Sequence, residues 1–158
     1  MFRAMRRAKQ AVSEETCREI LQTAGRAVLS LVGDDGYPYG VPVNFTYDAA
    51  ENTIYLHGAK SGHKIDAIRQ CDKVCFTTWD AGERPEGEWA WYVTSVIVMG
   101  RAELVDDLAV ATDKVRQLAL KYYPSAAEAE AELQAGIPQV QLIAIHIEHM
   151  TGKRIHEK

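Results

Sequence analysis

Apolar and polar positions follow two different periods along this chain. Cys17, Ile20 and Leu21 recur at helical spacing behind Ser13, a helix N-cap residue. Glu14 and Glu15 follow it where the helix macrodipole favours negative charge, and Gly25 closes the helix. Period two then takes over. Arg26 to Val32 reads as a strand that ends at Asp34-Asp35-Gly36, a hairpin turn in which glycine accepts a positive φ. Tyr37 to Tyr47 reads as the returning strand, interrupted by Pro38 and Pro42. Proline cannot donate to a ladder, so Pro42 marks a strand with one free side or a bulge. That free backbone is a place for a ligand to lie, and an ordinary edge strand accounts for it equally well.

The second half continues the pattern. Thr53 to His57 is a strand, Gly58 to Lys64 a small-residue loop, Ile65 to Gln70 helical and Lys73 to Trp79 a strand. After a Gly/Pro/Glu loop from Asp80 to Glu88, a long strand is expected from Trp89 to Val105. It would put Trp89 and Trp91 on one face, as core or as an aromatic wall for a planar ligand. Asp106 to Tyr122 is an amphipathic helix with Leu108, Ala111, Val115, Leu118 and Tyr122 on one stripe. Pro124 stops it, and Ser125 to Ala135 is a second, Ala/Glu-rich helix expected to face solvent and to end near Gly136. Val140 to Met150 is the last strand. Strict alternation sets His146 and His149 on opposite faces, which removes them as a simple pair of metal ligands and leaves each as a structural or surface histidine.

Strands joined mainly by hairpins, with helices at the edges, predict a mainly β protein: a small antiparallel barrel with peripheral helices. Strands and helices do not alternate and no GxGxxG follows the first strand, so a Rossmann domain is disfavoured. The 158 residues fit a single domain, 1–158, with an N-terminal arm and helix over 1–25 and a helical insertion over 106–136.

Composition narrows the classes. Lys+Arg 18 against Asp+Glu 22 gives a formal charge of −4, which argues against a general nucleic-acid binder. No apolar run is long enough for a membrane span. Three cysteines, Cys17, Cys71 and Cys75, in a chain without a secretory apolar segment point to a reducing cytoplasm; they read as small apolar fillers, with no metal expected. The basic cluster Met5-Arg6-Arg7-Ala8-Lys9 reads as an ordered or fraying arm.

Gly58-Ala59-Lys60-Ser61-Gly62-His63-Lys64 is the most informative stretch. A strand runs into a small-residue loop that opens onto a helix start carrying a lysine, and open N–H groups with an ammonium make a phosphate site. The Gly-x4-Gly-Lys spacing of a Walker A loop is missing, and a solvated loop with a surface lysine is the plainer reading of this pattern alone. No nucleophile–base or acid pair appears, so hydrolysis is disfavoured.

Met5-Arg6-Arg7, Asp35-Gly36-Tyr37-Pro38-Tyr39 with Val41-Pro42-Val43-Asn44-Phe45, Ile54-Tyr55-Leu56-His57-Gly58-Ala59 with Gly62-His63-Lys64, Ser95 to Ala102, and Thr151-Gly152-Lys153 beyond the last strand together carry a resemblance. In their order and spacing the chain resembles the pyridoxamine 5'-phosphate oxidase-related FMN-binding split barrels, in particular the nitroimidazole-resistance (Nim-type) flavoproteins. The resemblance implies a six-stranded antiparallel Greek-key split barrel and a homodimer with FMN in each of two interface clefts. It places Pro42, Val43 and Asn44 along the isoalloxazine, and His57, Gly58 and Ala59 along the ribityl chain and ring. Ser61, Gly62, His63 and Lys64 would hold the phosphate, with Ser95 and Val96 on the adjoining strand. The Arg-rich flavin motif and Ser-Arg-Lys phosphate motif of true pyridoxamine phosphate oxidases are replaced here by Val41-Pro42-Val43-Asn44 and Gly62-His63-Lys64, which argues against vitamin B6 oxidation.

The expected function is an FMN-dependent oxidoreductase, reduced by NADH or NADPH and passing electrons to a small planar acceptor such as a nitroaromatic. His57 is the candidate proton donor, with a structural histidine at the ribityl chain as its alternative. The competing expectations are a non-catalytic flavin carrier or redox sensor, and a haem- or F420-binding split barrel. Lys60, His63 and Lys64 are expected to form a local cationic pocket despite the acidic average.

Overall fold

The structure is a computed structural model that describes residues 1–157; the expected domain end at Lys158 lies outside the described residues. The elements are α1 (Glu14–Thr23), β1 (Ala27–Val32), β2 (Pro38–Val43), β3 (Thr46–Asp48), β4 (Thr53–Ala59), α2 (His63–Gln70), β5 (Lys73–Trp79), β6 (Tyr92–Val105), α3 (Leu108–Tyr122), α4 (Ala126–Gly136) and β7 (Val140–His156). The Ser13 hydroxyl caps α1 by accepting from the Thr16 N–H at 3.1 Å.

The strands form one antiparallel sheet in the order β2-β1-β5-β6-β7-β4-β3. The fold is mainly β with peripheral helices as expected, but the expected six-stranded split barrel is corrected to a seven-stranded sheet whose end strands, β2 and β3, do not pair. The extra strand arises because the Tyr37–Tyr47 stretch breaks at Asn44-Phe45. Phe45 turns inward, fully buried, and packs edge-on against Phe76 at 4.9 Å between centroids. Its N–H, lost to the ladder, is received by the Tyr122 hydroxyl at 3.0 Å. Burying a phenylalanine stabilises by about 1.5–3 kcal/mol, enough to outweigh a continuous strand once the N–H has another acceptor.

The sheet wraps one core, in which Leu29, Leu56, Phe76, Val98 and Ile143 meet Cys17 and Leu21 of α1 and Ile65 and Ile68 of α2. The close seat of α1 depends on Gly152, where a Cβ would run into the Cys17 Sγ and a Val12 methyl. Thr151–Lys153, expected beyond the last strand, lies inside β7. A second cluster covers the other face: Tyr55, Leu142 and Ala144 pack under Ala111 and Val115 of α3 and Leu133 of α4. Thus α4, expected to face solvent, buries Ala129 and Leu133, while Leu108, expected on the buried stripe of α3, is exposed at its first turn.

Two other expectations are corrected. β6 begins at Tyr92, so Trp89 and Trp91 belong to the preceding loop, 72% and 42% exposed, and neither is core. Asp80 shapes that loop by accepting from the N–H groups of Gly82 and Thr94. In the β6–β7 ladder Met99 faces His149 but Gly100 faces Ile147, so Glu148 is an inserted residue. Such a bulge flips the alternation; Ile147 and Met150 both pack against the core, and His146 and His149 share the outer face. They still have separate partners: His146 Nε2 lies 2.6 Å from a Glu103 carboxylate oxygen, and His149 stacks on Phe2 at 4.6 Å. Among the described residues no cluster of three His, Cys, Asp or Glu side chains is placed to hold a metal, all three cysteines are free, and no helix is long and apolar enough to cross a membrane.

Candidate functional site

A cleft of about 320 Å³ opens between the start of β1, the end of β2, the outer face of β4 and the first turn of α2, lined by Arg26, Pro42, Val43, Asn44, His57 and Lys64. Each wall follows from the fold. β2 ends the sheet, so one of its backbone edges has no strand partner. His57 shares the outer face of β4 with Tyr55, at the point where the cover of α3 and α4 gives out. At Gly62 the chain takes φ +119, a conformation suited to glycine, and its carbonyl receives the Ile65 and Asp66 N–H groups as α2 begins.

Lys64 is the electrostatic centre. Its half-buried ammonium forms no ion pair among the described residues, and burial pushes its pKa below the ordinary lysine value. It lies across Gly58, where a Cβ would sit 2.9 Å from Nζ and 3.2 Å from Cε. Arg26, exposed on the same cleft, also has no acidic partner among the described residues. His57 presents its surface to the cleft, and the crowding of the cleft walls, followed by the charge of Lys64, holds its pKa below the usual histidine value. The neutral imidazole then offers one N–H and one acceptor nitrogen.

Of the residues expected at the site, Pro42, Val43, Asn44, His57 and Lys64 come together in the cleft. Gly58 lies beneath Lys64, and Ala59, Ser61 and Gly62 form the exposed path from β4 into α2. His63 takes another direction, stacking on Tyr39 at 4.0 Å with Nε2 3.7 Å from Asp34, and so ties α2 to the β1–β2 turn. Lys60 is exposed, and the expected trio of Lys60, His63 and Lys64 is replaced by the pair Lys64 and Arg26. Val96 is fully buried in the core, and Ser95 lines a separate groove with Phe2, Ile97 and Met99. Arg26 carries no local motif, and its signal lies in the hairpin: Ala27 faces Val43, which brings Arg26 beside Asn44.

A second cavity, about 330 Å³, adjoins the cleft and shares Asn44 and His57 with it, extending between α3 and α4. α3 is fixed at its middle and at its C-terminal end. Lys114 Nζ donates to Asp48 at 2.8 Å and Glu51 at 3.0 Å, and Tyr55 donates to Glu51. Lys121 Nζ donates to the Ala24 and Phe45 carbonyls at 2.7 and 3.3 Å, beside the Tyr122 hydroxyl that donates to Gly25 O at 2.8 Å.

Comparison with known proteins gives a consistent result. A family model described as pyridoxamine 5'-phosphate oxidase matches residues 13–154. Similar solved structures include a candidate 5-nitroimidazole antibiotic resistance protein from Bacteroides thetaiotaomicron, at 20% identity and TM-score 0.78, covering 93% of this chain and 87% of that one. The flavocytochrome Anf3 from Azotobacter vinelandii matches at 23% identity and TM-score 0.74, with 95% and 71% covered. An FAD-binding protein from Mycobacterium smegmatis matches at 19% identity and TM-score 0.66, with 94% and 99% covered. No curated protein matches the chain.

Proposed function

The chain belongs to the pyridoxamine 5'-phosphate oxidase family, and on that premise we propose that it is an FMN-dependent oxidoreductase acting on small planar acceptors of the nitroaromatic type. The observation that carries this reading is the half-buried, unpaired Lys64 ammonium facing a cleft beside the free edge of β2. A buried cation without a carboxylate is costly, and a ligand phosphate is the natural partner for it and for Arg26. The ring of a flavin needs a flat, partly apolar slot with a few polar groups at its edge; Pro42, Val43 and Asn44 offer this along the end strand. Similarity to an FAD-binding protein and to a flavocytochrome supports flavin as the class of cofactor.

Bound flavin would supply two-electron redox chemistry, taking electrons from NADH or NADPH and passing them to the acceptor. The residues of the chain have simpler tasks. Lys64 and Arg26 neutralise the phosphate, the β2 edge orients the ring, and His57, at the junction of the two cavities, delivers a proton to the reduced acceptor. The cleft is open on one side, and Trp79, Trp91, Ile97 and Met99 stay exposed. Such an apolar surface favours a homodimer in which a second copy completes the cofactor site.

The test is the absorbance spectrum of the purified protein with mass identification of the released cofactor, followed by NADH and NADPH oxidation with a panel of nitro compounds. A yellow protein that releases FMN and reduces a nitro compound is the expected outcome. Release of haem or F420, or bound FMN without turnover, refutes the reading in favour of the alternatives.

A further inference from the structure

The cavity between α3 and α4 has no role in holding a flavin phosphate, yet its walls are built. Lys114 fixes the middle of α3 and Lys121 with Tyr122 its C-terminal end, while Arg116 and Glu130 tie α3 to α4 at 2.8 Å. Helices held at three places do not leave a hollow by loose docking. The interior is apolar, with Leu118, Ala119, Leu133, Ile137 and Val140 in its lining, and its mouth is polar at Asn44 and His57. Gly136 lines it with an ordinary φ of −98, and a Cβ built there meets nothing within 4 Å. Glycine thus stands at a half-buried position on the lining where a larger side chain meets no obstacle.

We propose that this cavity is the acceptor subsite, taking a neutral one- or two-ring aromatic molecule whose polar end reaches Asn44 and His57. Four observations select that class. The volume of about 330 Å³ lies at the small end of ligand pockets, which suits one or two rings rather than a dinucleotide. The lining is apolar, with Tyr122 and Tyr123 adding aromatic faces. Glu132 on the same lining opposes aromatic carboxylates. His57 and Asn44 border both cavities, so a molecule seated here has its polar end at the cleft wall where the flavin ring is proposed to lie. The assignment to an acceptor rests on the flavin reading; the existence of an aromatic-binding cavity does not.

The probe is 2-naphthol, neutral near pH 7, titrated calorimetrically into the FMN-loaded and the flavin-free protein. Wild type is expected to bind it saturably in both forms. Gly136→Phe, which places a ring in open space, is expected to weaken naphthol about tenfold or more, equivalent to about 1.4 kcal/mol, with FMN affinity unchanged. Cross-relaxation from naphthol ring protons to the Leu118 and Leu133 methyl groups gives a second readout that needs no variant. No binding, equal binding in Gly136→Phe, or cross-relaxation to residues elsewhere overturns the proposal. If Gly136→Phe weakens FAD but not FMN and free adenosine displaces naphthol, the occupant is the adenine of the cofactor and the acceptor assignment falls. Naphthol bound at these methyl groups in a chain that does not take up FMN upholds the cavity and overturns the flavin reading instead.

Discussion

Lys64 permits a prediction in which two effects of one substitution have opposite signs. Lys64→Met keeps most of the aliphatic stem that crosses Gly58 and removes only the ammonium. In the flavin-free protein that ammonium is half-buried and unpaired among the described residues, and its folded pKa lies below the unfolded value. At neutral pH lysine is charged in both states, so the lowered pKa means that the charge opposes folding. Flavin-free Lys64→Met should therefore unfold at a higher temperature than wild type at pH 7, and the gain should shrink as the pH is raised towards the lysine range, where wild-type Lys64 loses its proton in the folded state first. With FMN the sign reverses. A hydrogen bond to a charged group contributes about 1.5–3 kcal/mol, so its loss weakens FMN binding roughly ten- to 150-fold. Riboflavin, which lacks the phosphate, should bind both proteins equally. The assay is flavin-fluorescence titration with FMN and riboflavin, alongside thermal unfolding of the flavin-free forms. Unchanged FMN affinity, or equal losses for FMN and riboflavin, would refute a phosphate contact at Lys64.

Four other outcomes are expected. If His57 delivers a proton as imidazolium, its lowered pKa makes acceptor reduction fastest at acid pH and falling as pH rises through the His57 midpoint; a His57→Gln variant with the same kcat–pH profile removes that role. Lys114→Met should cost about 1–3 kcal/mol in urea unfolding by leaving Asp48 and Glu51 without their cation. Tyr55 and Lys114 hold Glu51 low, and Lys114 holds Asp48 low, so wild type should lose this stabilisation below about pH 4 more steeply than the variant. Gly152→Ala should destabilise by about 1–3 kcal/mol through collision with α1, Cys17→Ala in the same chain should recover part of it, and a null effect on the urea midpoint would show that α1 sits less tightly than described. Burial pushes the Lys121 ammonium down to about 8, which a side-chain NMR titration can measure directly; an ordinary lysine value would mean that water reaches it freely.

What could be read along the chain was what depends on neighbours a few residues apart. The Ser13 cap, the Asp34–Gly36 turn and the stripe of α3 through Ala111, Val115 and Leu118 are local patterns, and they appear where expected. The departures come from partners far away in sequence. Phe45 leaves its strand because a core pocket beside Phe76 and the Tyr122 hydroxyl, 77 residues on, receive it. The Glu148 bulge is visible only against β6, and it reverses the faces of every residue after it, His149 included. The site divides in the same way. Pro42 and the glycine loop before Lys64 are local signals, whereas Arg26 reaches the cleft through strand register and the α3–α4 cavity through tertiary docking.

Three lysines withdrawn from water separate scaffold from site in this molecule. Lys114 is the most buried, and burial alone would drive its pKa down. Hydrogen bonds to Asp48 and Glu51 outweigh that and raise it, as expected of a structural pin. Lys121 lacks a carboxylate, but its three protons have the Ala24 and Phe45 carbonyls and the face of the Phe45 ring, at 4.2 Å, to meet. Its lowered pKa is the residual cost of closing the gap where β2 passes into β3. Lys64 has neither carboxylate nor carbonyl among the described contacts, and the space before it is an open cleft rather than protein. A fold that found partners for two of its three sheltered ammoniums has left the third facing the one wall where β2 lies free, beside an arginine equally unpaired. That difference in partners, more than any single motif, marks this end of the sheet as the place where an anion from outside completes the structure.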